Sequence, residues 1–223
     1  MFFCFFAQTI ITMKKINNII FDYGGVIINL DMEAPLELMK LHTRLNVFEV
    51  WQEMQSKKVF EIYEQGLLSD EEFRNTIRNF FQTQIDDDLI DQIWNSLLLD
   101  MPKERIDLLK KCKNNYRTFL LSNSNTIHYK SYLAQLKNRY KLNSFNDLFE
   151  KAYFSFEMKQ LKPTHEIFQT LINKHQLIPE ETLFIDDTTV HVEAAKKLGF
   201  QTVHLTNGLK ITDIFDEEGR VSL

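Results

Sequence analysis

A chain of 223 residues with 44% hydrophobic content can bury a substantial core, as one large domain or as one domain carrying an insertion, and is not disordered. Acidic residues outnumber basic ones by 31 to 26, giving a net charge of -5, and no basic run or stripe tracks a phosphate backbone; nucleic acid is excluded as an expected partner. The two cysteines, Cys4 and Cys112, fit neither a disulfide framework nor a thiolate zinc site, and their use suits a reducing cytoplasm.

Residues 1–12 are aromatic and apolar, carry no charge, and end at Met13-Lys14-Lys15. They lack the leading positive charge of a secretory signal and fall short of the roughly 20 apolar residues of a membrane span. The expectation is a tail outside the fold, with Met13 as the functional start and no membrane partner. Next, residues 18–27 run Asn-Ile-Ile-Phe-Asp-Tyr-Gly-Gly-Val-Ile, an apolar stretch that delivers Asp22 into a glycine turn, as a strand buried on both faces does at its carboxyl end. Residues 29–101 turn helical. Ser69-Asp70-Glu71-Glu72 reads as a capping box before Phe73, Ile77 and Phe80, and Asp86-Asp87-Asp88 reads as a helix start rather than a metal site.

After Pro102, helices and strands alternate. The pattern predicts a helix around Ile106 and Leu109, a strand over 116–121, a helix over 127–136 and a strand over 151–154. A helix over 164–175, a strand over 182–185, a helix over 188–198 closed by Gly199, and a strand over 201–205 complete it. Such alternation implies an α/β fold, a doubly wound, Rossmann-like, mainly parallel sheet covered on both faces. The core is expected over 13–28 and 102–223, with an α-helical cap inserted over 29–101. In a parallel sheet the loops after the strands share one edge. That edge would gather Asp22, the run Ser122-Asn123-Ser124-Asn125, Lys162-Pro163 and Asp186-Asp187. Carboxylates hold hard divalent cations through oxygen, while a lysine and a hydroxyl grip phosphoryl oxygens.

These four motifs, in this order and at these strand ends, resemble those of the haloacid dehalogenase superfamily, in the phosphatases whose helical cap follows the first strand. The likeness is greatest to the bacterial glucose-1-phosphatase and sugar-phosphatase group and to the phosphatase domain of epoxide hydrolases; the cap stretch 63–73 adds to it. The resemblance implies a Mg²⁺-dependent phosphatase acting on a small phosphorylated metabolite, with a sugar phosphate as the leading guess. Asp22 would be the nucleophile that forms an aspartyl-phosphate. The metal would take Asp22, the main-chain carbonyl of Gly24 and Asp187, with Asp186 bound directly or one shell out. Ser122, Asn123 and Lys162 would form the phosphate site, with Ser122 and Lys162 on the phosphoryl oxygens and Asn123 shaping the loop.

Two positions depart from the family pattern. Gly24 stands where many members have an aspartate that protonates the leaving oxygen, and His191 stands where many have an aspartate or asparagine. His191 either orients a ligand or faces solvent, and the solvent reading is favoured for a lone histidine. Tyr23, Asn125 and His128 receive no role, and the cap aromatics Trp51, Phe60, Tyr63, Phe73 and Trp94 are expected to be mostly core. The alternatives are a hydrolytic 2-haloacid dehalogenase of the same fold and a phosphate-binding module impaired by the glycine.

Overall fold

The computed structural model of the protein describes residues 15–222, so the expected tail over 1–12 and the start at Met13 lie outside the described residues. The central strand of the sheet is β1 (Asn18–Phe21). It pairs with β2 (Arg117–Ser122) on one side and β4 (Thr182–Asp186) on the other, with β3 (Lys151–Phe154) and β5 (Gln201–His204) outermost. All four pairings are parallel. The order β3-β2-β1-β4-β5 reverses direction at β1, and the crevice beyond such a reversal is where open α/β sheets bind ligands.

Strand residues alternate between two hydrophobic clusters, one on each face. Ile19, Phe21, Leu120, Leu183 and Ile185 enter one; Ile20, Phe119, Leu121 and Phe184 enter the other. Burial of each such side chain contributes about 1.5–3 kcal/mol, so the register that keeps both faces filled is strongly selected.

Between β1 and Met101 lie five helices, α1 (Ala34–Met39), α2 (Val47–Ser56), α3 (Val59–Glu64), α4 (Asp70–Phe81) and α5 (Asp87–Asn95). They pack around a cluster of their own, including Met54, Tyr63, Phe73, Ile77 and Trp94, joined by Ile127 from beyond β2. The chain leaves and returns through an antiparallel stem: Asn29 N–H donates to Asp100 O (2.9 Å), Leu99 N–H to Asn29 O (3.0 Å) and Asp31 N–H to Leu97 O (2.9 Å). The capping box at Ser69 forms. Asp86 caps α5 by accepting from Leu89 N–H (2.8 Å), and Asp87 pairs with Arg74 and Arg78, which leaves the acidic triplet a helix start.

Helices α6 (Lys103–Asn115) and α7 (Thr126–Tyr140) cover one face of the sheet with Ile106, Leu109, Tyr132 and Leu136. After a short α8 (Ser155–Met158), which the sequence pattern does not reveal, α9 (His165–His175) and α10 (Thr189–Lys197) cover the other with Ile167, Phe168, Leu171 and Ala195. Among the described residues, no helix is long and apolar enough to cross a membrane.

Candidate active site

Register alone brings the first two loops together. Phe21 lies beside Leu120 and Ile185, so Asp22 emerges next to the end of β4, its N–H donating to Ile185 O (2.9 Å). Asp186 ends β4, and Ser122 ends β2. Lys162 bridges two of these residues. Its side chain is fully buried, and its ammonium donates to Asp22 Oδ1 (2.6 Å) and Asp186 Oδ2 (2.7 Å). The loop carrying it is fastened by Asn123, whose Nδ2 donates to Lys162 O (2.9 Å) while Oδ1 accepts from Lys162 N–H (2.9 Å). Asn123 thus sets the position of the lysine. Ser122 is buried, with Oγ 3.3 Å from Asn123 O.

The three carboxylates of Asp22, Asp186 and Asp187 can bring ligand oxygens within 4.8 Å of one another. Burial, followed by the Asp186 and Asp187 charges, pushes the Asp22 pKa above its ordinary value against the pull of Lys162. Burial also raises Asp187, helped by Asp186. At Asp186 burial is outweighed by Lys162 and His191, which hold it down at about 2. Burial disfavours the Lys162 charge as well, and Asp22 and Asp186 together more than offset it, leaving its pKa raised.

A divalent oxygen-loving cation fits this cluster on charge and on space. One ammonium against three carboxylates leaves a twofold negative excess in a mostly buried setting. The backbone also makes room for the Asp187 carboxylate. Gly25 has φ +68°, and a Cβ there would overlap Asp187 Oδ2. Only a residue without a side chain satisfies both conditions.

His191 does not simply face solvent. Its Nδ1 lies 3.1 Å from both oxygens of Asp186, one helical turn into α10, while Thr188 N–H donates to Asp186 Oδ1 (2.8 Å). The carboxylate of Asp186 is therefore held from three sides, and that of Asp187 is the freer of the two. The favoured solvent reading fails because α10 starts at the strand end and turns His191 back onto it.

Above the carboxylates lies a cavity of about 390 Å³, lined by Asp22, Gly24, Ser122, Asn123 and Asp187 from the strand ends and by a wall from the inserted helices. Its volume is in the range of small-molecule sites. Trp51, Phe60 and Trp94 belong to the helical core and line the cavity as well, whereas Tyr63 and Phe73 are buried in that core. The expectation for the aromatics thus divides between the two groups.

Residues without a role assigned from the sequence border or support the cavity. His128 stacks on Trp94 (5.0 Å between ring centroids), and its Nδ1 lies 3.1 Å from Asn95 Oδ1. Asn125 caps α7 through His128 N–H (3.0 Å) and accepts from Trp94 Nε1 (3.3 Å). Tyr23 lies beneath the site, its hydroxyl on Met101 Sδ (2.8 Å). Glu64, the last residue of α3, also reaches the cavity. For Glu64 and Asp70 a signal existed, since both lie in the 63–73 stretch that carries the family likeness. Asp70 accepts from the Tyr63 hydroxyl (2.8 Å), Lys130 Nζ (2.8 Å) and Thr126 Oγ1, tying the inserted helices to α7.

Known proteins share this fold. A HAD family enzyme from Bacteroides thetaiotaomicron superposes with a TM-score of 0.83 at 38% identity, covering 92% of this chain and all of that one. The same enzyme in complex with magnesium and inorganic phosphate gives a TM-score of 0.78 at 36% identity, covering 90% of this chain and all of that one. A HAD-like family hydrolase from Porphyromonas gingivalis gives 0.77 at 31% identity, covering 87% of this chain and 93% of that one. A D-ribitol-5-phosphate phosphatase from Bacteroides thetaiotaomicron is 29% identical over 199 residues, 86% of this chain and 93% of its own. The profile of the haloacid dehalogenase-like hydrolases matches residues 16–199, and the chain belongs to that family.

Proposed function

We propose that the protein is a Mg²⁺-dependent phosphatase that hydrolyses a small phosphorylated metabolite, with a phosphorylated sugar or sugar alcohol as substrate. The observation that carries this reading is the buried Lys162 ammonium bridging Asp22 and Asp186 beside a third carboxylate, at the floor of a metabolite-sized cavity. A hard cation with its carboxylates and an ammonium are what a phosphate dianion needs to approach a carboxylate nucleophile. The similar D-ribitol-5-phosphate phosphatase supports the polyol choice, and the similar enzyme that binds magnesium and inorganic phosphate supports the metal.

In this reading Asp22 attacks phosphorus and forms an aspartyl-phosphate that water hydrolyses. Asp22, the Gly24 carbonyl and Asp187 hold the cation, which when bound supplies Lewis-acid polarisation of the phosphoryl oxygens. Asp186, engaged by Lys162, Thr188 and His191, braces the cluster from behind. Lys162 and Ser122 grip the equatorial oxygens, and Asn123 keeps Lys162 in register. The inserted helices act as a cap that excludes water and reads the organic part of the substrate.

The test is phosphate release from D-ribitol 5-phosphate and a panel of sugar phosphates, with Mg²⁺, with chelator, and with Asp22→Asn. Turnover by the wild type that is lost on chelation and in Asp22→Asn is the expected result. Release that survives either treatment overturns the assignment.

A further inference from the structure

The reaction proposed above needs a proton carrier, and the residues around Asp22 leave one group free to be it. Displacement of an alkoxide from phosphorus is slow unless the leaving oxygen is protonated, and the second step needs a water deprotonated. Gly24 has no side chain to do either.

The ionisable groups lining the cavity are Asp22, Asp187, His128, His191, Tyr132 and Glu64, and burial pushes the Tyr132 phenol well above its ordinary value, too high to cycle a proton near neutrality. Asp22 is the attacking group, and Asp187 belongs to the carboxylate cluster. His191 is turned onto Asp186. His128 is held neutral, burial pushing its pKa down to about 3, and its Nε2 is buried without a hydrogen-bond partner. Glu64 is different. Among the described residues no hydrogen bond or ion pair takes up its carboxyl group, though it senses the charges of Glu61, Lys162 and Asp22.

Its placement is also fixed, and by the core rather than by the helices that carry it. Ser155 Oγ donates to Glu64 O (2.6 Å) and accepts from Ser124 N–H (2.9 Å), so one hydroxyl clamps the end of α3 to the loop after β2. Gln65 Nε2 donates to Lys159 O (3.0 Å), and Lys159 Nζ donates to Gly66 O. Gly66, at φ +66°, presses so close to the backbone of Phe156 that a Cβ would overlap the Phe156 carbonyl oxygen. The stretch 64–66 is thus stitched to 155–159 right beside the Ser122-Asn123 loop.

We propose, on the reading of Asp22 as nucleophile, that Glu64 is the proton shuttle of the reaction. As Asp22 forms its bond to phosphorus and the P–O bond to the substrate breaks, Glu64 gives its proton to the departing alkoxide and becomes a carboxylate. In the second step that carboxylate takes a proton from the attacking water, the bond between phosphorus and Asp22 breaks, and Asp22, inorganic phosphate and protonated Glu64 are restored. Burial, with Glu61 and Asp22 against Lys162, holds the carboxyl pKa up at about 7, which lets one group both give and take a proton near neutrality.

Glu64→Gln keeps the shape and removes the proton chemistry. With D-ribitol 5-phosphate, kcat should fall by roughly 10²- to 10⁴-fold while KM changes little. With an aryl phosphate whose phenol is acidic, the first step needs no acid, so the variant should release a burst of one phenolate per enzyme and then turn over slowly as the aspartyl-phosphate accumulates. A melting temperature matching the wild type checks folding. Turnover of the alkyl ester within about threefold of wild type, or losses on both esters with no burst, overturns the role of Glu64 while the phosphatase reading stands. A wild-type enzyme that hydrolyses neither ester overturns both.

Discussion

His128 should make the protein acid-sensitive in a way that one substitution removes. Burial lowers its pKa from 6.5 to about 3, so between those values the unfolded chain takes up a proton that the folded chain refuses. The folded pKa is depressed, and the stability His128 permits is therefore present at neutral pH and lost as pH falls below 6.5. The slope approaches roughly 1.4 kcal/mol per pH unit, and integrating from pH 7 to pH 5 gives a loss of roughly 2 kcal/mol. For a chain of this size that is about 4–8 °C of melting temperature. Asp22 and Glu64, whose pKa values are raised, push stability the other way over the same range, so the wild-type profile alone mixes opposite signs. The comparison to make is wild type against His128→Gln, in which those groups remain and cancel. Thermal midpoints of both proteins from pH 7 to pH 5 should diverge, with the variant gaining about 4–8 °C on the wild type. Parallel profiles would refute the claim that a neutral imidazole is enforced at the junction of α5 and α7.

Lys162→Met should cost about 3 kcal/mol or more by leaving Asp22 and Asp186 buried without their counter-charge, and should abolish turnover; a melting temperature unchanged from wild type would count against the buried bridge. Gly25→Ala should raise the Mg²⁺ concentration for half-maximal activity by about tenfold or more, since the new methyl displaces the Asp187 carboxylate, and the left-handed backbone should cost about 1–2 kcal/mol besides. A metal titration superposing on that of wild type would dismiss Asp187 as a ligand. Asp70→Ala should lower stability by about 2 kcal/mol, because Tyr63, Thr126 and Lys130 lose their shared acceptor, as a urea midpoint would register.

The strand ends were legible because burial on both faces leaves an uninterrupted apolar run, and because Asp22, Ser122 and Asp186 each follow such a run directly. Parallel pairing then does the rest, since loops at one edge must meet. What escaped the sequence has no periodicity or company. Helix α8 has only four residues, too few for a hydrophobic face to show. His191 is a single histidine whose partner lies five positions back, a spacing that separates a strand end from the next helical turn only after the backbone bends. Glu64 ends a short helix among other acids, and the Ser155 hydroxyl that fixes it lies 91 residues away. Long-range stitching of this kind has no local signature.

The position of the insertion explains why two unrelated surfaces can share one cavity. The chain departs at Asn29 and returns at Met101 through a stem that starts only a few residues after Asp22, so the five helices must hang over the edge where the carboxylates lie. They bring a core of their own, which allows Trp51, Phe60 and Trp94 to line the cavity without loosening the sheet beneath. Two ties set the distance between the halves, Asp70 to α7 and the Glu64–Gly66 turn to the start of α8. The second tie passes through the residue that ends α3 in the cavity. On the proton-shuttle proposal, that tie is what keeps Glu64 at the cavity, so a substitution that loosens Ser155 from the end of α3 should weaken proton transfer as well as the join between the halves.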